Sequence, residues 1–182
     1  INGDVHSKNQ LAAGLQTRPQ AKTFIYAFLY GAGPAKIGSI VGGNADVGKK
    51  LIASFLKNTP ALKMLKEKVA KYAEKGFVPG LDGRRLWIRS EHAALNTLLQ
   101  GAGSICMKQG LIHLHDSLKK LKIPAKFVAN VHDEWQIECP SELSDKVGRL
   151  AVDAIEQAGV TLGLRCPLTG EYKVGNNWKE TH

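Results

Sequence analysis

Between Thr17 and Gly31 the chain sets Arg18, Lys22, Tyr26 and Tyr30 four residues apart, with Phe24, Ile25, Phe28 and Leu29 among them. On a helix each four-residue step advances only about 40°, so these four side chains form one stripe and the apolar ones fall on other faces. The ends agree with a helix over residues 17–30. Thr17 followed by Gln20 is a capping-box pattern. Pro19 sits in the first turn, where a missing N–H does little harm. Gly31 suits the left-handed stop. Two cations near a helix N-terminus form a natural triphosphate clamp, and aromatics beyond them offer a base a stacking surface. An amphipathic helix with ordinary surface charges fits the same spacing.

The rest of the chain continues in the same mixed style. Residues 31–43 are glycine-rich and turn often. A helix is expected over 45–58, with Val47, Leu51, Ile52 and Phe55 on one face, and another from Pro60 to about residue 75. From Lys49 to Lys75 the chain carries Lys49, Lys50, Lys57, Lys63, Lys66, Lys68, Lys71 and Lys75 against only Glu67 and Glu74. Such a face either solubilises or attracts a nucleic-acid backbone. Gly80-Leu81-Asp82-Gly83 reads as a turn between extended pieces at 77–79 and 84–89. Ser90 is expected to cap a long helix over 91–121, in which Gly101, Gly103 and Gly110 weaken it or allow close packing. Residues 126–131 and 135–139 read as a hairpin around His132-Asp133-Glu134. Ser141 is expected to cap a helix ending at Gly159, and the tail from 164 to 182 to be irregular or extended. No strand-helix alternation suggests a doubly wound fold, which leaves an α+β class of helices packed on a small antiparallel sheet.

Bulk properties narrow the partners. The 182 residues suffice for one substantial core or two small lobes. No apolar run approaches membrane-spanning length, and the first ten residues lack a signal-peptide layout. Ile1 is not a natural initiator, so the chain is expected to begin inside a longer one. A formal charge of +9 points to a phosphate-bearing partner or a membrane surface, or to a simply solvated basic surface. Cys106, Cys139 and Cys166 are odd in number and dispersed, which indicates neither a zinc ribbon nor a disulfide framework. That composition suits a reducing, cytoplasmic setting.

Two further constellations carry chemistry. Asp133 and Glu134 form an acidic pair at a hairpin tip, and such hard oxygen ligands suit Mg²⁺. Asp-Glu in a turn is also common turn chemistry. His92, Asn96 and Gln100 form a polar stripe on a helix otherwise apolar all round, which is therefore expected to be buried. Amides there suit the minor groove, where every base pair shows an acceptor, or else neighbouring backbone groups. Weaker signals fall away. Gly31-x-Gly33 with Gly38 follows a helix rather than a strand. His113 and His115 are two apart and diverge on a helix. The cysteines read as core residues.

Taken together, Arg18-x-x-x-Lys22-x-x-x-Tyr26-x-x-x-Tyr30-Gly31 resembles the fingers helix motif of family A DNA polymerases. Val131-His132-Asp133-Glu134 resembles the family's palm motif, and Asp82-Gly83-Arg84 through His92-Ala93-Ala94-Leu95-Asn96 to Gln100 resembles the segment between them. Order and spacing agree along essentially the whole chain. The likeness runs to the replicative polymerases of T-odd type podophages, with Ile1-Asn2-Gly3-Asp4-Val5-His6 and Asn177-Trp178 to His182 also similar.

The resemblance implies an incomplete right-hand fold, with part of a fingers subdomain at 1–80 and the C-terminal part of a palm at 81–182. It implies that His6, Arg18, Lys22 and Tyr26 bind the incoming deoxynucleoside triphosphate and that Lys22 donates a proton to the leaving pyrophosphate. A tyrosine at position 26 implies weak rejection of dideoxynucleotides. Tyr30 would stack near the template base, Asn96 and Gln100 touch the duplex minor groove, and His132 contact the primer end. Asp133 would bind catalytic Mg²⁺, with Glu134 beside it in a less defined role. The family's second metal-binding aspartate comes from a strand before the fingers, and no such segment precedes residue 18. The thumb, its docking site for a host thioredoxin-type processivity factor, and any exonuclease domain are likewise not found in these residues. The chain is therefore expected to need the N-terminal part of the polymerase and to be inactive alone. A single-subunit RNA polymerase fragment and a non-catalytic nucleic-acid-binding module are the competing readings.

Overall fold

The computed structural model describes residues 4–182, so the resemblance quoted at Ile1, Asn2 and Gly3 lies outside the described residues. The chain forms two compact units, one of residues up to 79 together with 85–99, the other of residues 80–84 and 100–182.

The first unit runs α1 (Val5–Ala13), α2 (Arg18–Leu29), α3 (Pro34–Ser39), α4 (Ala45–Asn58), α5 (Pro60–Ala73), β1 (Phe77–Pro79) and β2 (Arg85–Trp87). The two strands pair antiparallel. The capping box of α2 is present: the Gln20 N–H donates to Thr17 Oγ1 and the Thr17 N–H to Gln20 Oε1. Gly31 follows with φ 77°, the left-handed conformation read from the sequence. Phe24 and Phe28 bury the inner face of α2 against Phe55 of α4, whose ring meets theirs edge-on at 5.1 and 5.4 Å. Ile37, Val69 and Val78 complete this core.

Two helices of this unit are not legible as helices in the sequence reading. Helix α1 is polar, and Asp4 starts it by accepting from the backbone N–H groups of His6 and Ser7. Helix α3 lies inside the glycine-rich stretch. Glycine on both helices serves the packing of α3 on α4: a Cβ on Gly48 of α4 would stand 1.8 Å from the Pro34 carbonyl oxygen, and one on Gly38 of α3 1.9 Å from that of Asn44. Backbone meets backbone, so no side chain is there to move aside. Gly48→Ala is expected to cost about 3 kcal/mol in denaturant unfolding. Gly33→Ala, whose Cβ meets nothing within 4 Å, is the neutral control. Equal midpoints for the two would disprove the close crossing.

Helix α6 (Ala94–Lys120) begins in the first unit and continues into the second, which adds β3 (Lys126–Val131), β4 (Glu134–Glu138), α7 (Ser144–Thr161) and α8 (Trp178–Thr181). Leu114 and Leu118 of α6 pack with Val147 and Ala154 of α7, and Trp135 and Ile137 of β4 lie against them. Gly110 is a close-packing site facing Trp135, whereas Gly103 faces open space.

The helix starts differ from expectation. Single 3₁₀ turns, Glu91–Ala93 and Ser141–Leu143, precede α6 and α7, and neither Ser90 nor Ser141 makes a side-chain cap. The Ala93 and Leu143 N–H groups instead donate to the carbonyls of Ser90 and Pro140, tightening the entry with i→i+3 bonds. Helix α6 is not buried all round, since Leu99 and Ile112 are exposed. The tail is not wholly irregular: Asn177 caps α8 by accepting from the Glu180 N–H. Strand β4 starts at Glu134, one residue earlier than expected, which leaves a two-residue turn. Cys166 is exposed rather than a core residue, while Cys106 and Cys139 are half-buried; all three are free thiols. Among the described residues no helix is long and apolar enough to cross a membrane.

Candidate nucleotide and nucleic-acid site

Because α2 spends its apolar faces on the core, its fourth-residue stripe is left outward. Arg18, Lys22, Tyr26 and Tyr30 are all exposed, the two tyrosines at 49% and 58%. Beside the stripe lies an open groove of about 540 Å³ lined by Lys22, Thr23, Tyr26, Ala27, Tyr30 and Lys36, with Gly31 and Ala32 at its end. Neither Lys22 nor Lys36 has an acidic partner among the described residues. The groove therefore combines two uncompensated ammonium groups with two aromatic rings. Lys36 escaped sequence reasoning because α3 was hidden among glycines; Pro34, a good first-turn residue, was the available signal.

Arg18 is placed differently. Its Nε and Nη2 donate to the two Asp4 carboxylate oxygens at 2.6 and 3.1 Å. The Arg18 guanidinium, with help from the Ser7 hydroxyl, holds the Asp4 carboxyl far below the usual carboxylate range. Asp4 thus ties the start of α1 to the start of α2. The same tie brings His6 to Tyr26, ring centroids 6.3 Å apart, with His6 Nδ1 buried and unpartnered among the described residues.

Gly31 is fixed from outside as well as by its φ. A Cβ there would stand 2.2 Å from the His92 carbonyl oxygen. The end of the tyrosine stripe is therefore packed on the 3₁₀ turn that leads into α6. The expected stripe of His92, Asn96 and Gln100 is split by that turn: His92 lies in it, while half-buried Asn96 and exposed Gln100 lie on α6 itself.

In the second unit, β3 and β4 close on the pair Val131 and Glu134, leaving His132 and Asp133 as the turn. His132 has φ 53°, in the left-handed region. A two-residue hairpin turn commonly places Gly or Asn there. A histidine held in that conformation stores strain of the kind that clusters at functional sites. The Asp133 carboxylate is exposed and makes no hydrogen bond or ion pair among the described residues.

Glu134 is the opposite case. It accepts from Gln136 Nε2, from Trp178 Nε1 at 2.9 Å and from His182 Nδ1 at 3.0 Å. These donors, Gln136 foremost and then His182, hold its carboxyl below its ordinary value of 4.5. Both oxygens are thus engaged by protein, which fastens the C-terminal turn beside the hairpin. The sign of the linkage follows. A carboxyl with depressed folded pKa contributes stability above its unfolded pKa and loses it as pH falls through the folded one. The Trp178 indole N–H resonance should therefore show its Glu134-linked shift only below the ordinary glutamate range. Glu134→Gln should resemble the low-pH state at neutral pH; a pH-independent resonance would contradict the tie.

His113 and His115 do not converge. His113 Nε2 lies 3.1 Å from Gln109 Nε2 and 3.0 Å from Thr161 Oγ1, while His115 Nδ1 pairs with Asp116. Among the described residues no three His, Cys, Asp or Glu side chains come together.

The sequence as a whole matches the family model "DNA polymerase family A" over residues 4–180. The chain belongs to DNA polymerase family A. Among curated proteins, family A relatives include the DNA-directed DNA polymerase of Escherichia phage T7, 42% identical over 204 residues that cover 100% of this chain and 29% of that protein. The DNA-directed DNA polymerase of Escherichia phage Phieco32 is 41% identical over 189 residues, covering 100% of this chain and 31% of that protein. The chain thus spans about three-tenths of the length of the curated relatives it matches. Its fold resembles that of the solved POL domain of Pol1 from M. smegmatis in complex with DNA primer-template and dNTP. The TM-score is 0.76 at 20% identity, covering 85% of this chain and 31% of that one. The family A assignment favours the DNA enzyme over a single-subunit RNA polymerase.

Proposed function

We propose that this chain is the fingers and C-terminal palm portion of a DNA-directed DNA polymerase, which adds deoxynucleotides to a primer 3′-hydroxyl opposite a DNA template. The observation that supports the reading is the groove beside α2, which Lys22, Lys36, Tyr26 and Tyr30 line together. The residues proposed as fingers belong to one compact unit and the hairpin proposed for the palm to the other, while residues 85–99, read as palm in the sequence, group with the helical unit.

The roles are those the family resemblance implies, and the geometry of α2 is compatible with them. Lys22, with Lys36 across the groove, binds the triphosphate by charge-assisted hydrogen bonds. Lys22 is also the proton donor to the leaving pyrophosphate oxygen, since an ammonium has a proton to give and charge to neutralise there. Arg18 binds phosphate through the guanidinium edge that Asp4 leaves open. Tyr26 packs on the sugar and base and is itself backed by His6. Tyr30 stacks by the template base, Asn96 and Gln100 contact the minor groove, and His132 contacts the primer terminus.

Asp133 fits Mg²⁺. It is an unpaired hard oxygen donor at a rigid turn, and Mg²⁺ is commonly bound through one or two carboxylates plus substrate phosphates rather than by an all-protein cage. Glu134, with both oxygens engaged, positions the turn instead. When bound, Mg²⁺ lowers the pKa of the attacking hydroxyl and stabilises charge on the phosphoryl group. The protein's share is positioning and preorganised charge.

The test is a chimera in which these 182 residues replace the corresponding segment of the phage T7 relative. It is expected to extend a primer with the templated nucleotide, whereas the 182 residues by themselves are not. A folded chimera that binds primer-template yet incorporates nothing would count against the reading.

A further inference from the structure

The starts of α1 and α2 meet on one carboxylate. Asp4 Oδ1 accepts from the His6 N–H at 3.3 Å and from Arg18 Nη2 at 3.1 Å. Its Oδ2 accepts from the Ser7 N–H at 3.2 Å, the Ser7 hydroxyl at 2.7 Å and Arg18 Nε at 2.6 Å. Asp4 therefore caps α1 and forks Arg18, the first residue of α2, with the same two oxygens. A pair this exposed, Arg18 at 55% and Asp4 at 37%, adds little to stability. What it fixes is direction. A guanidinium carries its N–H donors in a rigid fork. Asp4 takes the Nε side, and the terminal edge has no partner among the described residues. The cap also fixes His6, the second residue of α1. Its ring stands beside Tyr26 with a buried nitrogen that lacks a partner among the described residues.

We propose that Asp4 is a positioning residue for the incoming nucleotide's triphosphate, holding the Arg18 terminal edge and the His6 ring in place before the nucleotide arrives. Asp4 is itself an anion and gains nothing by touching phosphate, so its effect passes through Arg18 and His6. A free arginine gives up rotamer freedom when it binds an anion, whereas one already held has lost that freedom beforehand. The prepaid ordering appears as nucleotide affinity. It does not appear in the chemical step, because Lys22, the proton donor, makes no contact with Asp4 among the described residues. The role rests on the polymerase reading for the identity of the anion, while the tie itself stands on the geometry of the two helix starts.

The test uses the chimera for catalysis and the 182-residue chain for binding, with inorganic triphosphate as the probe. Asp4→Asn keeps a good N-cap residue but cannot accept both Arg18 bonds as a charged fork. In the chimera it should raise KM for the incoming nucleotide by about five- to tenfold and leave kcat within about twofold, the pattern of lost uniform binding. In an Arg18→Ala background the same substitution should lose most of its effect, because the two residues act as one unit. In the chain, Asp4→Asn should weaken triphosphate binding by a similar factor. Without any substitution, the Arg18 Nε–H signal in NMR spectra should be protected from exchange and stay protected when triphosphate is added. Loss of that protection would mean that the anion displaces Asp4, and would overturn the proposal. So would unchanged or tighter triphosphate binding in Asp4→Asn, which would reduce the carboxylate to a cap or a repelling charge. An undiminished effect of Asp4→Asn in the Arg18→Ala background would do the same, by tracing the loss to α1 alone. An inactive parent chimera together with weakened triphosphate binding in Asp4→Asn would sink the polymerase reading and leave the positioning role standing. An active chimera whose KM ignores Asp4→Asn would sink the positioning role alone.

Discussion

Asp133→Ala in the chimeric polymerase is expected to abolish nucleotide transfer while leaving primer-template affinity within a few-fold of the parent. The carboxylate stands exposed at a two-residue turn and is spent on no protein donor, so its removal disturbs no packing. Metal-assisted stabilisation of a transferring phosphoryl group contributes several kcal/mol, which at 1.36 kcal/mol per decade means a loss of about 10³-fold or more in single-turnover rate. Asp133→Glu keeps the oxygens and displaces them by about an ångström, a misplacement that costs about 10²-fold. The order Asp above Glu above Ala is therefore the signature. Glu134→Gln should behave differently, loosening the Trp178 and His182 contacts and lowering activity only through the position of the turn. A rate in Asp133→Ala equal to the parent would remove the residue from the metal site.

The contrast between these neighbours shows where sequence reasoning stops. Asp133 and Glu134 look equivalent in a sequence. What separates them is a donor set drawn from Gln136, Trp178 and His182, two of them more than forty residues away. The α2 stripe was legible because its information is local: a capping box, a period near four and a terminal glycine specify helix, face and end together. Helix α4 was legible for the same reason. Helix α1 was not, because its residues are polar and its stability comes from Asp4, whose second role is the ion pair to Arg18. Helix α3 was obscured by the glycines around it, of which Gly38 serves a backbone crossing visible only in three dimensions. The Ser90 and Ser141 caps failed because a 3₁₀ turn competes with a side-chain cap for the same orphan donors, and nothing in the local sequence ranks the two.

Lys22→Ala tests the other half of the chemistry. The side chain is exposed on α2, lines the groove with Tyr26 and Tyr30, and has no acidic partner to be released by its loss. Stability should therefore change by less than about 0.5 kcal/mol. A proton donor contributes 10² to 10⁴-fold, so single-turnover incorporation should fall by about 10³-fold, and nucleotide affinity should weaken as well because a phosphate contact is lost. Lys22→Arg separates the two effects. Arginine restores the cation and binds phosphate, yet it does not give up its proton. Affinity should recover while the rate stays low. Recovery of both would reduce Lys22 to a phosphate clamp, and an unchanged rate in Lys22→Ala would remove it from the reaction altogether. Lys36→Ala provides the comparison across the groove, with weakened nucleotide binding and a nearly unchanged rate, because Lys36 shares the cationic role and not the proton transfer.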